Sequence, residues 1–294
     1  MQVGLYQHSE ACKAAHAVAL AWSVALTMPH HLIWIERGGV RPGSGGPGLE
    51  GPAASSPPEA GAASAACKEQ TRDRRADYAA LQVALSRLFA LESFPADYAP
   101  EELLWRNDAL GKPYVEWRGS LRAWAERHGH DCRHLHISNA HDGDAHLVLA
   151  AYGETLADVG IDVVYLPRLR RPGKGRDYLR RLARQFMSAA EWEEFAAVSA
   201  CENEESLRVR VAAHFSLMEA ASKACGTGLA LGGGIGRPGS LPKRALGVRL
   251  TPQVAFLLGP EAQRRSEALD VARWEGHWGT DGNYLVSAVL LWTC

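Results

Sequence analysis

The sequence predicts an α+β fold made of two pseudosymmetric halves that join near residue 160. Two patterns predict it: a helical stripe followed by short alternating apolar segments bounded by Gly, Asn or Asp, and a second group of helices followed again by strand candidates. Size agrees, because 294 residues with 47% hydrophobic and 22% charged side chains suffice for one large or two modest cores. No short-period repeat of solenoid type is present.

Residues 1–37 form an N-terminal segment. In it, Ala14 to Met28 is apolar, interrupted by His16, and reads as an amphipathic helix, while the aromatic and β-branched residues of His31 to Glu36 read as a short strand. Gly38 to Ala66 collapses to Gly, Pro, Ser and Ala, which cannot bury enough surface to offset ordering entropy. Residues 38–70 are therefore expected to be a disordered linker. The N-terminal half, 71–159, opens with a helix over Arg72 to Leu91, whose Tyr78, Leu81, Leu85 and Leu88 recur at three- and four-residue spacing. Strand candidates follow at Pro113–Trp117, Leu135–Ser138, Ala145–Tyr152 and, at the junction, Gly160–Tyr165. The C-terminal half, 160–294, is expected to carry helices at Tyr178–Phe186, Ala189–Val198 and Glu205–Cys225. Its strands are expected at Leu246–Leu250, Ala255–Leu258 and Tyr284–Trp292.

Charge and cysteine usage remove several function classes. Lys+Arg 32 against Asp+Glu 33 gives a net charge of −1, so the general attraction needed by a DNA-coating protein or a polybasic membrane binder is missing. The six cysteines contain no C-x-x-C pair, which leaves no zinc ribbon or dithiol motif and fits a reducing, cytoplasmic setting. Ala14 to Met28 follows a segment with Glu10 and a single Lys13, the wrong charge pattern for a signal peptide, and is too short to span a bilayer.

Four stretches could carry chemistry, and each has a plain structural explanation when taken alone. Leu110-Gly-Lys-Pro-Tyr114 is a β-turn with Pro fixing φ. Leu135 to Asp142 is a strand running into a polar turn that His141 could cap. Gly160-Ile-Asp-Val-Val164 sets a carboxylate in an apolar strand, where it needs a partner, a cation or solvent. His214 to Gly234 is a helix ending at a Gly-rich turn; its Glu219 and Lys223 share one face and would ordinarily be a solvated surface pair.

In this order and separation, G-K-P, a strand ending in S-x-x-H-D, G-I-D-V, then E-x-x-x-K before G-x-G-L, the sequence resembles the 4′-phosphopantetheinyl transferase family, in particular its larger, monomeric, surfactin-synthetase-activating type. The resemblance spans Arg72 to the C-terminus and includes Arg180 to Phe195, where a family Arg and Phe-rich turn precede a Ser-x-x-Glu helix start. It implies transfer of the 4′-phosphopantetheine arm of coenzyme A to a serine of an acyl or peptidyl carrier protein. Adenosine 3′,5′-bisphosphate is released, at a site between the two halves. It further implies Mg²⁺ held by Asp162 and Glu219, with Lys223 beside the diphosphate. Lys112 and Pro113 would line the adenine pocket, His141 would contact a phosphate of coenzyme A, and Arg74 or Arg75 would hold the 3′-phosphate. Glu219 could also accept the serine proton. A monomer follows, since two halves already complete one site; neither nucleic acid nor membrane is expected as a partner.

Four positions depart from the family pattern: Phe215 stands for Trp, Met218 for Lys, Val164 for a second acid and Ala140 for Ser. These define a rival reading, a noncatalytic or weakly active coenzyme A-binding module that contacts carrier proteins, with Met218 as the discriminating residue. Elsewhere, the basic run from Leu166 to Arg184 contains Asp177 as its one acid and could steer an acidic carrier or simply be a solvated loop. His128, His130, Cys132, His134 and His136 alternate as an exposed strand face would, and a histidine-rich metal site is the third class considered. Gly232 to Gly236 reads as a flexible loop, and Cys225 as a small buried residue.

Overall fold

A computed structural model describes residues 6–7, 22–23, 32–38, 78–89, 94–95, 98–109, 111–143, 145–227, 229–230, 241–242, 244–250 and 253–294. The chain is α+β. Three N-terminal strands, β1 (Tyr6–Gln7), β2 (Trp22–Ser23) and β3 (Leu32–Gly38), precede helix α1 over residues 78–88. Then follow β4 (Leu103–Asn107), β5 (Pro113–Trp117), α2 (Gly119–His128), β6 (Leu135–Asp142), β7 (Ala145–Tyr152) and β8 (Leu156–Tyr165). Three helices come next, α3 (Gly175–Phe186), α4 (Ala189–Ser199) and α5 (Glu204–Ala224). The chain continues through β9 (Leu229–Ala230), β10 (Leu241–Pro242), β11 (Leu246–Arg249), β12 (Ala255–Leu258), α6 (Pro260–Ala268), β13 (Arg273–Asp281) and β14 (Tyr284–Trp292).

Two sheets stack at the centre. One has the order β1-β2-β3-β7-β6 and the other β13-β14-β8. Their facing sides interlock through Leu147, Leu149 and Ala151 of the first and Val159, Ile161, Val163, Val286 and Leu290 of the second. Period-two alternation sends the other side chains outward. Ile137, Val148 and Ala150 meet α1 and α2, while Val164, Leu285 and Val289 meet α5. Four layers result, α1/α2, sheet, sheet, α5, so β7 and β14 are covered on both faces and read as nearly unbroken apolar runs.

The helix α5 lies unusually close to β8. A Cβ added to Gly160 would come within 1.9 Å of the Ala220 carbonyl oxygen and 2.7 Å of the Ala224 amide nitrogen. Only glycine permits that approach, and alanines at 212, 213, 220, 221 and 224 keep the helix side equally thin. The ends of α5 are fixed as well: Asn203 accepts from Ser206 N at 2.9 Å at its start, and Arg265 Nε donates to the Cys225 carbonyl at 2.7 Å at its end. Helix α4 begins with a reciprocal Ser188/Glu191 capping box, and Glu191 also accepts from Val248 N at 2.6 Å, tying α4 to β11.

Several expectations are revised. The helix expected over Ala14–Met28 is replaced at Trp22–Ser23 by β2, because those residues pair with β1 and β3; the remainder of that stretch and the 38–70 linker lie outside the described residues. Likewise, the first part of the Arg72–Leu91 helix is outside the described residues. The polar piece after Ser138 remains strand as far as Asp142, since every residue of β6 is paired with β7. His128 to His136 is no strand face: His128 closes α2, Gly129 takes φ 73°, and a 3-10 turn covers Cys132–His134 before β6 begins. His130 packs among Phe89, Trp124 and Tyr152. Among the described residues no group of three or more His, Cys, Asp or Glu side chains is placed to hold a metal ion, and no helix is long and apolar enough to cross a membrane.

The close approach predicts that Gly160→Ala destabilises the protein by more than about 4 kcal/mol or prevents folding. Gly129→Ala, at a left-handed residue with nothing within 4 Å, costs about 1–2 kcal/mol. Urea titration of both variants checks the contrast.

Candidate active site

The four residues of β8 that face α5 are Asp158, Gly160, Asp162 and Val164. Strand register places Ser287 of β14 directly beside Asp162. On the helix, Ser216, Glu219 and Lys223 recur at three- and four-residue spacing on the side that meets this strand. The contact at Gly160 thus sets the height at which strand and helix groups meet.

Lys223 does not pair along the helix as a solvated Glu–Lys pair would. Its ammonium reaches the strand, 3.0 Å from Asp162 Oδ1 and 3.0 Å from the Ile161 carbonyl. Asp162 is nearly buried, and burial pushes its carboxyl above the ordinary value despite the Lys223 ammonium and the nearby Ser216 hydroxyl. Glu219 is half-buried; burial and then the Asp162 charge raise it to about 7, with Lys223 opposing. Two crowded carboxylates share one ammonium, an arrangement that a divalent cation would relieve. Asp162 and Glu219 therefore have the donor chemistry to hold Mg²⁺, which favours carboxylate oxygens.

The turn holding Lys112 and Pro113 lies against the start of β8. Gly111 has φ 88° there, and Asp108 accepts from Lys112 N at 2.8 Å. The Lys112 ammonium pairs with Asp158 and donates to the Ala224 carbonyl at 3.4 Å, so it ties the N-terminal half to both β8 and the end of α5. His136 Nδ1 is 3.4 Å from the other Asp158 oxygen. Burial alone would raise the Asp158 carboxyl, but the Lys112 ammonium and the His136 hydrogen bond hold it below its ordinary value. Beside them opens a cleft of about 360 Å³ whose walls include Lys112, Pro113, Tyr114, Arg133, His136 and Asp158.

His141 is exposed, near the far end of β6, and stacks on His146 with ring centroids 5.9 Å apart. It lies five steps along the strand from His136, or about 16 Å. The structure therefore brings Asp162, Glu219 and Lys223 into one cluster, with Lys112 and Pro113 at one end of β8 and His141 toward the other. Next to His141, Asp142 accepts from Tyr165 N at 2.7 Å and from Arg168 Nη1 at 2.8 Å, locking the ends of β6 and β8 together. Arg74 and Arg75 lie outside the described residues, as does the Gly232–Gly236 loop.

Two departures from the family pattern acquire a physical meaning. Met218 is fully buried in the core between α5 and its neighbours, so a lysine there would put a charge into apolar packing instead of adding a cation to the carboxylates. Val164 likewise belongs to that core. Cys225 is buried, and burial pushes its thiol up to about 12, as expected for an inert packing residue. Asp158 was not singled out from sequence, although Asp158 and Asp162 are spaced to lie on one strand face; His136, Asp142 and Gly160 entered there only as members of motifs, without the contacts described above.

Residues 158–251 match the 4′-phosphopantetheinyl transferase superfamily. Over 77 residues, 26% of this chain, the sequence is 39% identical to a holo-[acyl-carrier-protein] synthase of Alteromonas mediterranea and covers 54% of that protein. The chain thus spans about half the length of the curated relative it matches. Among solved structures, holo-[acyl-carrier-protein] synthase from Neisseria meningitidis aligns with 21% identity and a TM-score of 0.35, over 46% of this chain and 98% of that one. The Helicobacter pylori synthase in complex with coenzyme A aligns with 18% identity and a TM-score of 0.30, over 45% and 98%. Asp162, Glu219 and Lys223 all lie within the segment that matches the superfamily.

The raised Glu219 carboxyl carries a pH signature in metal-free protein. It titrates near 4.5 when free and near 7 when folded, so the folded chain holds the proton more tightly. The stability this contributes is present below pH 4.5 and is lost as pH rises through about 7. With a chelator present, Glu219→Gln should be more stable than wild type at pH 8, and the difference should shrink at pH 5; urea titrations at the two pH values check this.

Proposed function

We propose that the protein transfers the 4′-phosphopantetheine group of coenzyme A to a serine of an acyl or peptidyl carrier protein, with Mg²⁺ as cofactor. The observation that carries this reading is the cluster of Asp162, Glu219 and Lys223 inside the segment that matches the superfamily. A divalent cation held by Asp162 and Glu219 supplies positive charge where the diphosphate must be neutralised. Lys223 adds its ammonium on the same side. The serine hydroxyl oxygen bonds to the β-phosphorus, the bond from that phosphorus to the bridging oxygen breaks, and adenosine 3′,5′-bisphosphate leaves. Glu219 also accepts the serine proton.

Lys112, Pro113, His141 and the Arg74/Arg75 pair are assigned to coenzyme A, Lys112 and Pro113 on the wall of the 360 Å³ cleft. An acidic carrier docks on the other side of Val164. A groove of about 210 Å³ there is lined by Val164, Arg171, Tyr178, Leu182, Phe186 and Phe215. Its arginines can meet acidic side chains while its floor takes an apolar one. The protein works as a cytoplasmic monomer of the surfactin-synthetase-activating type, its two halves supplying one site. Burial of Met218 speaks against the noncatalytic alternative, because the residue blamed for lost turnover does not face the carboxylates.

Mass spectrometry of apo-carrier proteins incubated with the protein, coenzyme A and Mg²⁺ tests the proposal. The carrier should gain the phosphopantetheine mass, and Asp162→Ala and Glu219→Ala should each slow the gain by about 100-fold or more. Coenzyme A binding without modification of any carrier would contradict it.

A further inference from the structure

Ser216 and Ser287 are fully buried at the contact between α5 and the β8/β14 face; the Ser287 hydroxyl has no hydrogen-bond partner among the described residues, and the one polar group toward which the Ser216 hydroxyl is directed is the Asp162 carboxylate, without a well-formed bond. A buried hydroxyl left without a well-formed hydrogen bond ordinarily destabilises a fold. Small volume does not explain the serines, because alanine fills five other positions of α5 in the same core. Other buried serines nearby are satisfied: Ser222 donates to the Glu219 carbonyl at 2.9 Å, and Ser138 accepts from Ile161 N at 3.1 Å. The two exceptions flank one residue. Ser287 is the cross-strand partner of Asp162, and cross-strand neighbours on one face have Cβ atoms about 4.5–5.5 Å apart. Ser216 comes from the helix, one turn before Glu219, with its side chain directed at the Asp162 carboxylate.

We propose that Ser216 and Ser287 are positioning residues whose hydroxyls, one from the helix and one from the sheet, hold the Asp162 carboxylate in the orientation that faces a divalent cation. The inference rests on the transferase reading and deepens it. Asp162 is already held on one oxygen by Lys223, which by itself would draw the carboxylate toward the ammonium. Two hydroxyl donors in a dry layer oppose that pull and fix the ligand, as outer-layer partners do at metal centres generally. Neither serine touches coenzyme A or the carrier in this scheme.

The test uses the full chain and Mn²⁺ as probe, with affinity read by electron paramagnetic resonance. Valine and threonine have the same shape and differ by the hydroxyl, so each serine is replaced by both. Ser216→Val and Ser287→Val should weaken Mn²⁺ binding about 10-fold or more, while Ser216→Thr and Ser287→Thr stay close to wild type. Alanine variants, which add no volume, should show the same weakening with an unchanged or higher melting temperature, and should recover kcat at saturating Mg²⁺. Equal Mn²⁺ affinity across alanine, valine, threonine and wild type would overturn the inference alone. A wild-type protein that takes up no Mn²⁺ would overturn the functional reading and the inference together.

Discussion

The approach of α5 to β8 over Gly160 is the constraint on which the rest of the molecule depends. A carbonyl of the helix occupies the space where a side chain on the strand would stand. This contact is possible because one strand residue has no Cβ and the facing helix positions are alanines. Once made, it fixes register: Lys112 and Asp158 meet the end of the helix at Ala224, Asp162 meets Lys223, and Val164 enters the apolar core. A shift of one helical turn would separate Lys223 from Asp162 and carry Glu219 away from the strand carboxylate. Fold and site are therefore set by the same few atoms.

Electrostatics turns that geometry into a demand for a ligand. Burial raises both Asp162 and Glu219, and one ammonium is shared between them. In contrast, the Asp158 carboxylate has both Lys112 and His136 and is held below its ordinary value. The strand thus carries one carboxylate neutralised by its own protein and, four residues on, one that is not. Only the second has the character of a cation site, and the acid from the helix beside it strengthens that character.

Much of the fold was legible because its strongest elements are periodic. The strands Pro113–Trp117, Ala145–Tyr152, Ala255–Leu258 and Tyr284–Trp292 fall where their apolar runs place them, and α5 differs from its expected bounds by one residue at each end. Missed elements have physical reasons. Helix α2 buries only Leu121, Trp124 and Ala125, and α6 only Ala262 and Ser266, too little for a clear stripe. Strand β13 contains Gly276, which resembles turn material but is required because a Cβ there would strike Val254 and Phe256. For the site, the spacing of Glu219 and Lys223 suggested a helical pair, yet the Lys223 ammonium turns to the strand, where the more deeply buried Asp162 carboxylate and the Ile161 carbonyl both accept from it. The place of Met218 in the core was hidden for a related reason: the residue next to a carboxylate on a helix can face either the site or the interior, and only packing decides.

The most direct measurement is a crystal structure with coenzyme A and Mn²⁺, read by anomalous scattering. The account predicts one Mn²⁺ peak bonded to carboxylate oxygens of both Asp162 and Glu219, with the diphosphate on the Lys223 side. Bound coenzyme A with the metal elsewhere, or with Asp162 and Glu219 not sharing it, would contradict the claim that strand and helix build a single centre.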